Sequence, residues 1–326
     1  MSKPLAQKDL LLGATLLKRF AVERRVAGGS VSDVYLARQV SVGNRNVAVR
    51  VLKKLICTSD SPEARVHRQR FSWEAELMSM LRAACFTRIL EFGAILDEVQ
   101  RPFMVLEFVS GTALSDDVSL ARRFPLAAAA RTVLDVAEGL SELHGYRIVY
   151  RDLAPSNILM EEIQGTTRPR LFDFSHATVD GIQDLDATGV AGQLLAGTPP
   201  YAAPELASGK GSVESDVFSL SALLYAMLVG EPPMGLRSTN WEEYVAALSA
   251  GRKPCEKPLS RPDARVPRKI EALVADALSV KPENRPKSVA EFTSRLCEGI
   301  LSDSDILRGD SSGSLLSAVT RVLLRR

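Results

Sequence analysis

Tyr150-Arg151-Asp152-Leu153-Ala154-Pro155-Ser156-Asn157, followed by Asp173-Phe174-Ser175, is the stretch whose reading decides the fold of this 326-residue chain. A carboxylate and an amide lie five positions apart, and a second carboxylate follows sixteen residues later. Apolar runs flank them: Ile148-Val149 before, Ile158-Leu159-Met160 after, and Leu171-Phe172 leading into Asp173. This pattern predicts short buried strands that deliver polar side chains to one cleft. Asp152, Asn157 and Asp173 there would suit Mg²⁺, a hard cation that takes oxygen ligands and shares them with substrate phosphates.

Upstream, residues 20–56 read as strands. Ala27-Gly28-Gly29-Ser30-Val31-Ser32-Asp33-Val34-Tyr35 is a small-residue turn that runs into a strand. Such a turn lets backbone N–H groups approach a phosphate, and it also serves as an ordinary hairpin turn. Val47-Ala48-Val49-Arg50-Val51-Leu52 reads as another strand. Continued as a strand, it puts Lys53 on the face opposite Arg50, with Lys54 on the same face about 13 Å along. Residues 62–82 read as a helix: Pro62 and Glu63 start it, and Phe71, Ala75, Met78 and Leu81 recur at helical spacing. Ile89–Gly93 reads as a strand, and Phe103–Val109 as a buried strand ending at Ser110-Gly111. Leu126–His144 has one apolar helical face, and His144 reads as structural.

Downstream come Gly197-Thr198-Pro199-Pro200-Tyr201-Ala202-Ala203-Pro204-Glu205, then Ser215-Asp216-Val217-Phe218-Ser219-Leu220 opening an apolar helix, then Lys281-Pro282-Glu283-Asn284-Arg285-Pro286. Taken in order, these elements resemble the protein-kinase family: glycine-rich loop, V-A-I-K strand, αC helix, hinge, catalytic loop, DFG, A-P-E and the closing P-x-x-R-P. The resemblance spans residues 20–299 and implies an α+β bilobal fold. A mainly antiparallel N-lobe (20–108) with one helix would precede a helical C-lobe (109–299), flanked by an N-terminal segment (1–19) and a tail (300–326). The tail reads either as a short amphipathic helix packed on the lobe or a partner, or as a frayed end.

The resemblance also implies roles. Asp152 accepts the substrate proton, and Asn157 and Asp173 hold Mg²⁺ on the phosphates of ATP. Arg50, paired with Glu74, stands where the family has its phosphate-binding Lys. Thr198 lies beside Asp152 and favours Ser/Thr substrates. Nucleotide contacts fall on Ala27, Gly28, Gly29, Ser32, Val34, Ala48, Arg50, Leu106 as gatekeeper, Glu107, Val109, Asn157 and Leu159. Asp216 anchors the catalytic-loop backbone, and Arg285 pairs with Glu205. Regulation would pass through 173–205, where Arg151 receives a phosphate on Thr178 or Thr188. The departures are Arg50 for Lys, Ala154 for Lys, Ser175 for Gly, and Ala27 and Ser32 at two of three loop glycine positions. Ala27 would be strained if its backbone were left-handed, and Arg is not a conservative stand-in for Lys at a tight site. Two classes of function lead: a Ser/Thr protein kinase, and a pseudokinase that binds nucleotide or partners without transfer. A small-molecule kinase of the same superfamily is disfavoured because the A-P-E element and the helices around Trp241 and Tyr244 resemble a protein-substrate platform.

A net charge of +2 gives no case for nucleic acid or an acidic membrane. Cys57, Cys85, Cys255 and Cys297 are far apart, with no zinc or disulfide pattern, which fits a cytoplasmic location. No apolar run is long enough to span a bilayer.

Overall fold

Strands β2 (Phe20–Gly28), β3 (Ser32–Gln39) and β4 (Arg45–Leu52) form where alternating apolar residues bury one face. Val47, Val49 and Val51 on β4, Tyr35 and Ala37 on β3, and Phe20 and Val22 on β2 join one core cluster. The structure, a computed structural model, describes residues 11–40, 43–95, 97–119, 121–180, 195–260, 265–308 and 313–324. With β1 (Thr15–Leu16), β5 (Ile89–Ala94) and β6 (Pro102–Glu107), the strands make a six-stranded antiparallel sheet in the order β1-β2-β3-β4-β6-β5. Leu11 and Leu16 pack into its core, so the sheet starts ahead of residue 20. Helix α1 (Lys54–Thr58) interrupts the strand continuation expected after Leu52. Lys54 therefore does not share the strand face of Arg50, and it pairs with Glu98 at 3.1 Å instead. Helix α2 (Pro62–Met80) buries Phe71, Glu74, Ala75, Leu77 and Met78, and stops two residues short of the expected end.

The described residues divide into two compact units. One runs to Met80 and includes Thr87–Val109; the other comprises Leu81–Phe86 and the residues from Ser110 onward. In the second unit, β7 (Gly111–Ala113), β9 (Ile158–Ile163) and β10 (Thr166–Leu171) form one small sheet. Strands β8 (Ile148–Val149) and β11 (Thr178–Val179) form another. Short helix α3 (Leu114–Ser119) precedes α4 (Leu126–Gly145), which buries Val133, Val136, Ala137, Leu140 and Leu143. A Cβ on Gly139 of α4 would stand 2.5 Å from the Cys85 sulfur, so only glycine fits that approach.

Helix α5 (Val213–Val229) is buried from Ser215 through Val229. That burial explains an apolar composition without a polar face. Ser212 donates its N–H to the Ser215 hydroxyl at 3.1 Å to open α5, and Gly230, at φ 79°, closes it ahead of Pro232 and Pro233. Helices α6 (Trp241–Ser249), α7 (Arg268–Ala277), α8 (Val289–Leu301), α9 (Ser304–Arg308) and α10 (Ser314–Leu324) complete the unit. Helix α10 buries Leu315, Ala318 and Val319 and packs on α4 and α8, which decides between the two readings of the tail. None of the four cysteines, all among the described residues, is disulfide bonded. Among the described residues no helix is long and apolar enough to cross a membrane.

Candidate active site

In the sheet unit, register does the placing. Val47, Val49 and Val51 point into the core, so Ala48 and Arg50 lie on the opposite face of β4. Val34 pairs with Arg50, which pairs with Met104; Leu36 pairs with Ala48, which pairs with Leu106. Ser32 is two residues before Val34 and shares that face. The expected nucleotide-contacting residues Ser32, Val34, Ala48, Arg50 and Leu106 thus form one patch. Ala27, Gly28 and Gly29 are exposed at the β2–β3 turn, which Gly29 N–H closes onto the Ser32 carbonyl at 2.9 Å. Ala27 sits in extended strand β2 opposite Val34, so the strain expected of a left-handed alanine does not arise. Glu107 gives its N–H to the Arg88 carbonyl at 2.9 Å, so that group is not offered to a nucleotide. Val109 is buried by its side chain.

Arg50 reaches from this face to Glu74 of α2. One terminal nitrogen, Nη1, donates to both carboxylate oxygens of Glu74, at 2.8 and 2.9 Å. The Glu74 side chain is only 1% exposed and that of Arg50 16%, so the pair is shielded from screening. Nε of Arg50 donates to the Ser32 hydroxyl at 3.0 Å, and the guanidinium carbon lies 5.8 Å from the Phe71 ring centre. The Glu74 pairing is what the resemblance of Phe71-Ser72-Trp73-Glu74 to the family's αC helix implies. The Ser32 bond is not so implied, because sequence offers Ser32 as a small loop residue near nucleotide and gives no sign of Arg50 as its partner.

In the helical unit, the turn after β8 is held from below by α5. Asp216, fully buried, accepts the N–H groups of Tyr150 and Arg151, each at 2.8 Å, and contacts His144 Nε2 at 2.8 Å. His144 is therefore structural. Arg151 has a left-handed φ of 65°, and these bonds hold a conformation costly for a non-glycine residue. Its side chain is buried and donates Nε to the His176 carbonyl at 2.7 Å.

Asp152 has a donor on each oxygen. Thr198 Oγ1 donates to Oδ1 at 2.7 Å, and Asn157 Nδ2 donates to Oδ2 at 2.8 Å and to the Asp152 carbonyl at 2.8 Å. Burial pushes the Asp152 carboxyl up to about 6, and the Asp173 charge pushes the same way, while the Thr198 and Asn157 hydrogen bonds pull it down. The Asn157 amide is pinned through its nitrogen, which directs its oxygen away from Asp152.

Asp173 is the other carboxylate, at a left-handed φ of 65°. Ser175 N–H approaches its Oδ1 at 3.3 Å. Phe174 next to it is fully buried, with its ring edge-on to Tyr150 at 5.4 Å and to Phe86 at 5.3 Å. Those rings fix the backbone from which Asp173 projects, and Phe172 N–H bonds the Asn157 carbonyl at 3.1 Å. The Asn157 amide oxygen and the Asp173 carboxylate are the all-oxygen donor kind that Mg²⁺ takes together with phosphates. Leu159 is the second residue of β9, two positions after Asn157. Ala154 is buried, so no cation is presented from its position. Thr178 lies in β11 opposite Val149; Thr188 falls outside the described residues.

Further along, Arg285 donates to both oxygens of Glu205, at 2.7 and 2.9 Å, and to the carbonyls of Ser279, Glu214 and Val280. Its side chain has no exposure.

A family model described as the protein kinase domain matches residues 20–295. The chain is 31% identical over 297 residues to a serine/threonine-protein kinase, pkn3, of Myxococcus xanthus, covering 88% of this chain and 51% of that one. It is 32% identical over 284 residues to pkn2 of the same organism, covering 85% and 32%. It is 28% identical over 309 residues to PknB of Mycolicibacterium smegmatis, covering 93% and 47%. The chain thus spans between a third and about half of the length of these relatives. It belongs to the Hanks-type serine/threonine protein kinase family.

Proposed function

We propose that the chain transfers the γ-phosphate of ATP to a serine or threonine hydroxyl of a protein substrate. The observation that carries this reading is Asp152, an acceptor whose two oxygens are aimed by Thr198 and Asn157. With a pKa raised to about 6 it is ionised at neutral pH, yet basic enough to take a proton. The substrate hydroxyl donates to Asp152 while its oxygen attacks the γ-phosphorus. The bond from that phosphorus to the β–γ bridging oxygen breaks, ADP leaves, and the proton ends on the Asp152 carboxylate. Arg50 contacts the α- and β-phosphates, and Glu74 orients it. Asn157 and Asp173 would hold Mg²⁺, which when bound neutralises phosphate charge. Positioning and charge neutralisation supply most of the rate. The catalytic domain is taken as 20–299, and a cytoplasmic site of action agrees with four unbridged cysteines.

The test is phosphate incorporation, read by mass spectrometry after incubation with Mg²⁺ and ATP, for the wild type and Asp152→Asn. Incorporation in the wild type alone supports transfer. A second reading, the pseudokinase, is favoured by Arg50 in place of Lys and by the buried Ala154. Nucleotide binding without incorporation would select it.

A further inference from the structure

Two departures from the family pattern, the Arg at position 50 and the Ser at position 32, meet in one hydrogen bond. Ser32 and Arg50 are diagonal neighbours on one sheet face, because Arg50 pairs with Val34 and Ser32 lies two residues before it. Ser32 is 8% exposed, and its hydroxyl takes the Arg50 Nε at 3.0 Å. The Nη1 of the same guanidinium is spent on Glu74. A guanidinium can do both because Nε and Nη1 are separate donors in one rigid plane; an ammonium is a single point. The Ser32 carbonyl meanwhile accepts from Gly29 and closes the turn. One residue therefore links the turn, the strand and, through Arg50, helix α2.

We propose that Ser32 is a positioning residue that sets the plane of the Arg50 guanidinium for nucleotide phosphate, so that Ser32 and Arg50 work as a matched pair in place of Gly and Lys. This rests on the nucleotide-binding reading above. Without the hydroxyl, Nε loses an acceptor in a shielded site and the plane of the guanidinium is held less tightly. A lysine at position 50 beside Ser32 leaves the hydroxyl without its donor. A lysine at position 50 together with a glycine at position 32 restores a combination in which neither group needs the other.

The experiment measures Mg²⁺–ATP affinity by titration calorimetry for Ser32→Ala, Ser32→Thr, Arg50→Ala, Ser32→Ala/Arg50→Ala, Arg50→Lys and Ser32→Gly/Arg50→Lys. Hydrogen bonds to charged groups are among the stronger ones, so Ser32→Ala should weaken binding about tenfold. Ser32→Thr keeps the hydroxyl and should stay near wild type. In the Arg50→Ala background, removing the Ser32 hydroxyl should have no further effect, and Ser32→Gly/Arg50→Lys should bind better than Arg50→Lys alone. Equal losses from Ser32→Ala in both backgrounds, or no loss in either, would overturn the proposal. Phosphate incorporation by the wild type is scored separately. A chain that binds nucleotide with this coupling but incorporates nothing refutes transfer and leaves the pair standing.

Discussion

Asp152 is a carboxylate in a site that resists its charge. Its folded pKa, about 6, lies above the ordinary 3.8 because burial, and then Asp173, disfavour ionisation. Only the ionised form can take the substrate proton, so transfer should fall on the acid side in a series of rate measurements. A Mg²⁺ ion at Asp173 would cancel part of the repulsion, so the acid limb is expected below the metal-free value of about 6. Thr198 donates to the ionised form, so Thr198→Ala should move the limb to higher pH; a limb that moves down would refute the pairing. The same shift bears on stability. A folded pKa above the unfolded one means that ionised Asp152 destabilises the fold, fully above about pH 6, and that the effect fades as pH falls toward about 4. Asp152→Asn should therefore abolish transfer and melt no lower than wild type at neutral pH. Asp173→Asn should also abolish transfer with the fold intact, since a neutral amide cannot neutralise Mg²⁺ as a carboxylate does. Unchanged transfer in that variant would remove the metal assignment.

Elements meet through a few buried polar groups, and these are where single changes do most damage. Arg285 enters from the segment before α8 and meets Glu205 from the segment before α5. The Ser215 hydroxyl, in the first turn of α5, also donates to Glu205 at 2.7 Å. Removing one partner leaves a shielded charge with no counter-ion. Glu205→Ala and Arg285→Ala should each cost about 3–5 kcal/mol in urea unfolding. A wild-type midpoint in either variant would mean that the pair contributes nothing. Asp216 joins α5 to the turn after β8 in a similar way, but by N–H groups. In Asp216→Ala the N–H groups of Tyr150 and Arg151 lose their acceptor, at about 1–3 kcal/mol each, and the left-handed φ of 65° at Arg151 loses the two bonds that Asp216 supplies to hold it. Transfer should then drop by a larger factor than global stability explains, as seen by comparing rates at a temperature well below both melting points.

At the scale of the molecule, α10 belongs to the helical unit. It covers α4 with Leu315, Ala318 and Val319, and its Arg321 bonds Asp135 of α4 at 2.6 Å, with Glu138 at 3.7 Å. Arg131 of α4 donates to Ser314 at 2.7 Å. Ending the chain at Asp303 would expose the apolar strip beneath. Re-exposing a few aliphatic side chains costs about 3–5 kcal/mol, so the truncated chain should melt several degrees lower. An unchanged melting curve would mean that α10 rests on the unit without stabilising it.

The order of the elements is legible in the sequence alone. Apolar period two marks β3 and β4, period 3.6 marks α2 and α4, and Gly and Pro mark the ends. Asp152, Asn157, Asp173, Glu74 and the Glu205–Arg285 pair can be named because the motifs that hold them resemble the family's and occur in the family's order. What sequence does not carry is which donors point at which acceptors. Lys54 reads as a strand residue because nothing local announces α1, a helix of five residues with no buried side chain. The tail reads equally as helix or fray because its helix is settled by contact with α4 and α8, far away in sequence. Ser32 reads as a turn residue because its partner lies 18 positions away and is visible only once β3 and β4 are in register. Periodicity is a local property and survives in one dimension. Hydrogen-bond pairing and burial depend on separations that only the folded chain creates.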